Sequence, residues 1–245
     1  MFNGFRGVLY REINVFRKRA GKQILASSLS PLLFLIAFGW GFGDRVAVDG
    51  LPYITFLIPG LITMSSLNQS YGIAQELNIT RFYFHVFDEY LIAPISHVEI
   101  VLGEAAYGMF KGLLSTALIF AYSVIFGVKL TVGPVFFLAI LTHTFLFTTL
   151  GITIAMLVRD HGDQAAVNTF VITPMIFLSG TFFPVEKLPV VFKWLVYALP
   201  LTYSTKVIRA ALTGGDVNML YFMLMLGFAA VFFVAALRAV GRVEG

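Results

Sequence analysis

The chain has 245 residues, of which 58% are hydrophobic and 12% are charged, and its mean hydropathy is +0.86. A soluble domain has about 45–50% apolar and about 25% charged residues, so this composition excludes a soluble globular protein and indicates an integral membrane protein. The net charge of +4 does not indicate nucleic-acid binding, because six of the 17 basic residues precede residue 23, beside the first apolar run, where membrane proteins carry cytoplasmic charge.

The first 22 residues predict an amphipathic helix. Apolar side chains recur at steps of three and four, and the basic side chains fall mostly on the rest of the helical wheel. The apolar positions are Phe2, Phe5, Leu9, Ile13 and Phe16. We expect this interface helix, residues 1–22, to lie on an anionic leaflet. The alternative is a charged flank that only orients the first span.

Six apolar segments follow, each close to the roughly 20 residues that cross the hydrocarbon core. They are residues 24–43, 53–75, 100–126, 133–157, 165–183 and 217–238. Six spans place both termini on one side, and with a cytoplasmic N-terminus eleven Lys and Arg residues lie inside and six outside. The sequence therefore predicts a single all-α membrane domain over residues 1–245, with both termini in the cytoplasm.

The joint between spans two and three, residues 76–99, is long enough for a short helix at the cytoplasmic surface. It mixes aromatic and charged side chains and is closed by Pro94, a pattern suited to docking in a groove of a soluble partner. The residues expected to couple the chain to that partner are Arg81, Phe84, Asp88, Glu89 and Tyr90. The alternative is an interfacial aromatic anchor.

A shorter inner joint follows span four and carries Arg159, Asp160 and Asp163. We expect a smaller partner contact or a solvated loop here, and catalysis is the alternative. The four histidines have no metal-ligand spacing, there is no cysteine, and no Gly-x-x-x-x-Gly-Lys-Ser/Thr phosphate loop occurs. The sequence therefore predicts no catalytic residue, no metal site and no bound cofactor on this chain.

Span three contains two charges, Glu104 and Lys111, seven residues apart and so on one face of a helix. Each would cost about 2.5–3.5 kcal/mol in the middle of the bilayer, so we expect them to face protein, water or headgroups. An interfacial position, an ion pair with another helix and a role in a translocation pathway all remain open. Gly108 and Gly112 form a small-x-x-x-small pair that predicts close helix packing.

The segment 184–201 is apolar in its middle but too short to cross the membrane. Prolines mark its start and end, and its charged and aromatic side chains suit the outer headgroup region. Its defining residues are Pro184, Glu186, Lys187, Pro189, Lys193, Trp194, Tyr197 and Pro200. We expect an outer re-entrant hairpin; a seventh span is the alternative.

Several blocks of the sequence resemble ABC-2 type transporter permeases. The block at residues 171–184, continuing through residues 188–189 and 199–203 to Arg209, is similar to the C-terminal signature of that family. Residues 57–61, 93–96 and 99–104 resemble the family at the corresponding upstream places. Within the family, the Leu-Gly-Glu sequence at 102–104, together with Lys111 and the Phe-Leu-Ser-Gly block at 177–180, is most similar to nodulation-type permeases that export lipo-oligosaccharides.

This resemblance implies six spans, an N-terminal interface helix, a coupling helix between spans two and three and an outer hairpin. It also implies an exporter subunit in a bacterial cytoplasmic (inner) membrane, working as a homodimer with two copies of an ABC ATPase that binds ATP and Mg. The substrate would be amphipathic: a glycolipid, lipo-oligosaccharide, polysaccharide or drug-like molecule. Alternatives from other classes are an intramembrane lipid-modifying enzyme and a secondary transporter.

Overall fold

A computed structural model describes residues 3–41, 46–48, 50–84 and 86–242, without the side chains of residues 40, 87, 88 and 91. The predicted roles of Phe2 and of the Asp88 side chain therefore lie outside the described residues. The described part is all-α except for one antiparallel pairing of Ala47–Val48 (β1) with Leu51–Pro52 (β2). The predicted fold class is confirmed to this extent.

The helices follow one another along the chain with short connections. They are α1 (Asn3–Phe34), α2 (Tyr53–Tyr71), α3 (Ile73–Phe82), α4 (Val86–Ile92), α5 (His97–Ile125), α6 (Pro134–Leu157), α7 (His161–Val167), α8 (Thr173–Leu178), α9 (Val190–Ala198), α10 (Pro200–Thr213) and α11 (Met219–Gly241). A π-helical turn, Leu35–Trp40, extends α1, and another, Asn168–Ile172, joins α7 to α8.

Four helices of the described chain are long and apolar enough to cross a membrane. They are Asn3–Gly39, His97–Ile125, Pro134–Leu157 and Met219–Gly241. The predicted span at 53–75 corresponds to α2, which is only 19 residues long and carries serines and amides at its C-terminal end. The predicted span at 165–183 is helical only as far as Leu178.

Helix α2 is the centre of the molecule. Residues 56–67 are buried without interruption, so protein surrounds this helix on all sides. Its neighbours are α5, α6 and α10. A helix that touches protein rather than lipid can carry hydroxyl groups on its surface, and Ser66 and Thr63 are fully buried here. The polar composition of α2 therefore reflects its central position.

Helices α1 and α5 run parallel, side by side. The Gly4 N–H donates to Glu99 Oε1 (3.1 Å), and the Tyr122 hydroxyl donates to the Ser28 carbonyl (3.4 Å). Between these two points the rings of Phe16 and Phe110 meet edge to face at 5.4 Å. The partners differ by 94 or 95 in residue number throughout, so the two helices keep one register over more than 20 residues.

The predicted boundary between the interface helix and the first span is absent, because residues 3–34 form one continuous helix. The physical reason is its packing on α5. Val8, Glu12 and Phe16 recur every fourth residue and are all buried. Gly103 of α5 allows this approach, since a Cβ there would lie 2.8 Å from Val8. Part of the predicted amphipathic face thus packs against protein.

Candidate functional site

Lys111 is buried in an ion pair at the middle of α5. Its Nζ donates to Glu76 Oε1 of α3 at 2.7 Å, and it lies 5.5 Å from the centre of the Tyr107 ring. The Lys111 side chain is 6% exposed and that of Glu76 34%, so the pair reaches water only on the glutamate side. Of the three roles that the sequence leaves open for Lys111, the structure shows an ion pair with another helix.

Three further charged side chains surround this pair. Glu12 of α1 and Glu104 of α5 are both buried, and Arg11 pairs with Glu12. Glu104 interacts electrostatically with both pairs, yet its Oε1 has no hydrogen-bond partner within the part of the chain that the structure describes. We define Arg11, Glu12, Glu76, Glu104 and Lys111 as the inner charge cluster. When all five are ionised it has a net charge of −1.

The register of α1 and α5 explains how these charges can be accommodated. Because α1 residues lie beside α5 residues numbered about 95 higher, Glu104 and Lys111 face the basic half of α1 rather than its apolar half. Charges that approach one another inside protein avoid the cost of facing hydrocarbon. The inner charge cluster therefore lies between helices, at the level where α1 itself is charged.

Tyr90 connects the short helix α4 to this cluster. Arg11 Nη1 donates to the Tyr90 hydroxyl at 3.1 Å, and the guanidinium lies 5.8 Å from the centre of the Tyr90 ring. Burial raises the pKa of the Tyr90 hydroxyl, which therefore stays protonated at physiological pH. Of the predicted coupling residues, Tyr90 thus faces inward, whereas Glu89 is exposed.

Gly108 and Gly112 let α5 approach its neighbours closely. A Cβ on Gly108 would lie 2.4 Å from Thr148 Cγ2 of α6, and a Cβ on Gly112 would lie 2.1 Å from Ser70 Oγ of α2. Both distances are far below van der Waals contact. The small-x-x-x-small pair therefore lies in the packing between α5, α6 and α2, beside the inner charge cluster.

Arg81 of the first joint and the residues of the second joint organise the chain locally. Arg81 donates to the carbonyls of Ala155 and Met156 (3.1 and 3.2 Å), where its positive charge complements the C-terminal end of α6. Asp160 accepts a hydrogen bond from the Asp163 N–H at 2.9 Å and so caps the start of α7. The Arg159 N–H donates in turn to Asp163 Oδ2 (3.0 Å).

The structure brings the two predicted inner joints together. The ring of Tyr83 stacks on His161 at 5.0 Å, and Phe82 meets the same imidazole edge to face at 6.2 Å. Tyr83 and Phe84 are nevertheless 66% and 68% exposed. We define Tyr83, Phe84, Arg159, Asp160 and His161 as the joint surface. It exposes aromatic and charged groups side by side, as a protein-docking surface does.

A second polar region lies between α2, α3 and the π-helical turn. It is a groove of about 220 Å³ with exposed Asn68 and Gln75 in its lining. Beneath them, Gln164 Nε2 donates to the Tyr71 hydroxyl and this hydroxyl donates to Asn168 Oδ1, both at 2.8 Å. The groove therefore offers neutral hydrogen-bonding groups from two predicted spans.

The outer segment after α8 is folded as short pieces rather than as a span. Pro189 precedes α9, which has nine residues and is about 14 Å long, and Pro200 begins α10. Trp194 is exposed on α9, and Lys187 is exposed just before it. Lys193 is half-buried. The short length agrees with the sequence-based expectation for this segment.

Two cations of α10 hold this segment in place, and sequence reasoning gave neither a role. Lys206 Nζ donates to Glu186 Oε1 (2.5 Å) and to the Tyr197 hydroxyl (3.2 Å). Arg209 donates to the carbonyls of Gly180 (2.7 Å) and Phe56 (3.3 Å). A cavity of about 450 Å³ opens beside them, with Pro184 in its wall. For Arg209, its place in the C-terminal signature was the feature of the sequence that could have indicated a role.

The Glu186–Lys206 bond also shifts both ionisation equilibria. Burial favours the neutral form of each group, but the hydrogen bond outweighs it. It lowers the pKa of Glu186 and raises the pKa of Lys206 relative to their ordinary values. Both groups are therefore charged across the physiological range.

No group of three or more His, Cys, Asp or Glu residues that could hold a metal occurs among the described residues.

The described part of the chain is all-α apart from one short strand pair, and four of its helices are long and apolar enough to cross a membrane. The chain matches the model of the ABC-2 type transporter family over residues 4–213, and it belongs to that family. It is therefore a membrane permease of the ABC transporter class, and such permeases generally pair with an ABC ATPase.

The chain is similar to several bacterial proteins, among them a transport permease. The chain is 30% identical over 205 residues to Nodulation protein J of Sinorhizobium fredii (strain NBRC 101917 / NGR234), covering 82% of this chain and 78% of that protein. It is 31% identical over 211 residues to Nodulation protein J of Rhizobium meliloti (strain 1021), covering 83% and 79%. It is 27% identical over 234 residues to the Inner membrane transport permease YadH of Escherichia coli (strain K12), covering 94% and 90%.

Proposed function

We propose that the chain is the membrane subunit of an ATP-driven exporter that moves an amphipathic molecule outward across the bacterial cytoplasmic (inner) membrane. Two copies of the chain would form a homodimer, and two copies of a separate ABC ATPase would bind ATP and Mg. The cargo would be a glycolipid, lipo-oligosaccharide, polysaccharide or drug-like molecule. The joint surface carries this proposal, since it offers a docking site in a chain that lacks a phosphate loop.

The proposed topology has six spans with both termini in the cytoplasm. Four apolar helices support it directly, and α2 and the helical segment 161–178 would supply the remaining two. Neither needs to be strongly apolar if it faces protein or an aqueous cavity. The exposed amides Asn68 and Gln75 support such a cavity, because they would be costly against lipid.

The proposed outer hairpin enters the membrane partway and covers the exit of the pathway. Its length supports this, since α9 spans about 14 Å against a hydrocarbon core of about 30 Å. Its exposed apolar side chains, such as Val190 and Trp194, would reach the headgroup boundary. The bonds from Lys206 and Arg209 would hold its base to α10.

The docking proposal is tested by co-purifying the chain with a candidate ABC ATPase, chosen by the phosphate loop in the product of a neighbouring gene. We expect Tyr83→Ala combined with Phe84→Ala to reduce the co-purified ATPase at least about tenfold, a loss typical of central aromatic contacts. The control is Trp194→Ala, which removes an aromatic side chain of somewhat greater exposure from the outer segment. An unchanged yield of complex with the double variant, or an equal loss with the control, contradicts the assignment.

A further inference from the structure

An apolar groove runs along the outside of the molecule where α1, α5 and α6 meet. It has a volume of about 470 Å³, and its α5 residues fall on the side of that helix opposite Glu104 and Lys111. Its half-buried apolar lining consists mainly of Phe5, Leu102, Ala106, Met109 and Phe145. The exposed side chain of Arg6 completes the lining.

The helix packing already described creates this groove. Val8 fits against Gly103 and brings α1 and α5 together, while the small side chains of Ala105 and Ala106 leave a hollow beside the contact. Larger side chains, Met109 of α5 and Phe145 of α6, form the far walls. The groove is therefore a consequence of side-chain size at adjacent positions of packed helices.

The groove has one charged end and one apolar end. Arg6 lies near the start of α1, and in the α1–α5 register it faces the first turns of α5. From Leu102 to Met109 the apolar lining continues along α5 for about 10 Å, away from Arg6. A cation beside an apolar wall complements a lipid that carries an anionic headgroup and an apolar chain.

We propose that this groove binds an anionic phospholipid, with one acyl chain along the apolar lining and the phosphate at Arg6. Charge complementarity selects this occupant. A guanidinium forms bidentate hydrogen bonds with a phosphate, and the exposed Arg6 is the charged side chain of the groove lining. Anionic headgroups are attracted to basic residues beside the membrane. The proposal stands apart from export, because the groove and its charge do not depend on the cargo or the ATPase.

The test is native mass spectrometry of the purified full-length chain, titrated with phosphatidylglycerol and with phosphatidylcholine of identical acyl chains. We expect the wild-type chain to retain phosphatidylglycerol about tenfold more tightly than phosphatidylcholine. Arg6→Gln should remove this preference and leave phosphatidylcholine binding unchanged. Arg19→Gln, the matched control, removes the same charge from an exposed position elsewhere on α1 and should leave the preference intact.

A groove-filling variant tests the acyl-chain half of the proposal. Ala106→Phe should weaken the binding of both lipids, because the added ring occupies the groove. Equal losses with Arg6→Gln and Arg19→Gln would overturn the proposal in favour of diffuse attraction. If Ala106→Phe binds both lipids as tightly as the wild-type chain does, the lipid proposal is overturned in favour of another occupant of the groove, such as a second copy of the chain. This holds whether or not the variant also loses a dimer. The two arginine variants are surface changes, so they decide the question even if Ala106→Phe does not fold.

Discussion

Lys111 is the cation on which the inner charge cluster depends most. Lys111→Met keeps much of the apolar stem but removes the ammonium that pairs with Glu76. Three carboxylates then face Arg11 alone, and the net charge of the cluster changes from −1 to −2 when every group is ionised. We therefore expect Lys111→Met to destabilise the folded state strongly.

The size of the effect follows from burial. Removing one partner of a buried ion pair costs about 3–5 kcal/mol. Glu76 is 34% exposed and reaches water, so the loss should fall near the lower limit, at about 3 kcal/mol. Glu104→Gln has the opposite effect on charge and keeps the shape of the side chain. Because Glu104 Oε1 lacks a partner among the described residues, this change should cost less than about 1 kcal/mol.

The double variant tests whether Glu104 and Lys111 share one electrostatic environment. Glu104→Gln restores the net charge of −1 in the Lys111→Met background, so it should recover part of the lost stability. The expected coupling free energy is about 0.5–3 kcal/mol. The measurement is reversible unfolding of wild-type, single and double variants in lipid nanodiscs, followed by tryptophan fluorescence. Additivity within about 0.5 kcal/mol would refute the reasoning, since it would mean that Glu104 and Lys111 do not share an electrostatic environment.

Three further predictions concern other parts of the molecule. Gly112→Ala should lower the free energy of unfolding by about 1–3 kcal/mol, because its Cβ would collide with α2. The control is Gly7→Ala, which should leave the free energy of unfolding unchanged because the space around its Cβ is open. Equal effects of the two variants would contradict the packing argument. Glu186 has a lowered pKa, so its stabilising bond to Lys206 is complete above the ordinary pKa of a glutamate and is lost as pH falls through the lower folded value. Unfolding measured between pH 3 and 7 should show this loss, and Glu186→Gln should abolish it; the same acid dependence in the variant would contradict the assignment. Lys193→Cys, in a chain without native cysteine, should react with an impermeant thiol reagent from outside the cell, whereas labelling only from the cytoplasm would make the segment a true span.

The local features of the fold were predictable from the sequence. Apolar length predicted α5, α6 and α11, because a helix long enough to cross the bilayer needs only its own residues to be recognised. Proline placement predicted the division of the outer segment, since Pro189 and Pro200 each stand at a helix start. These signals lie within a few residues of the structure they specify.

Partners distant along the chain were not predictable. The sequence indicated that Lys111 needs a countercharge, but Glu76 lies 35 residues away on another helix. It also placed a helix boundary near residue 23, where the composition of α1 changes from basic to apolar. Composition gives no information about the contact with α5 that keeps α1 continuous, because the contacting residues Gly4 and Glu99 are 95 residues apart. Roles for Lys206 and Arg209 were missed for the same reason.

The inner charge cluster and the joint surface are physically connected. Helix α3 contributes Glu76 to the cluster and ends at the joint surface, while α4 reaches the cluster through Tyr90 and Arg11. A displacement of α4 must therefore either break the Tyr90–Arg11 hydrogen bond or move α1 with it. Because α1 and α5 keep one register over their common length, movement of α1 is resisted by the whole α1–α5 contact. Side-chain contacts at this junction thus join α4 and the joint surface to the long helices α1 and α5, in addition to the chain connections between them.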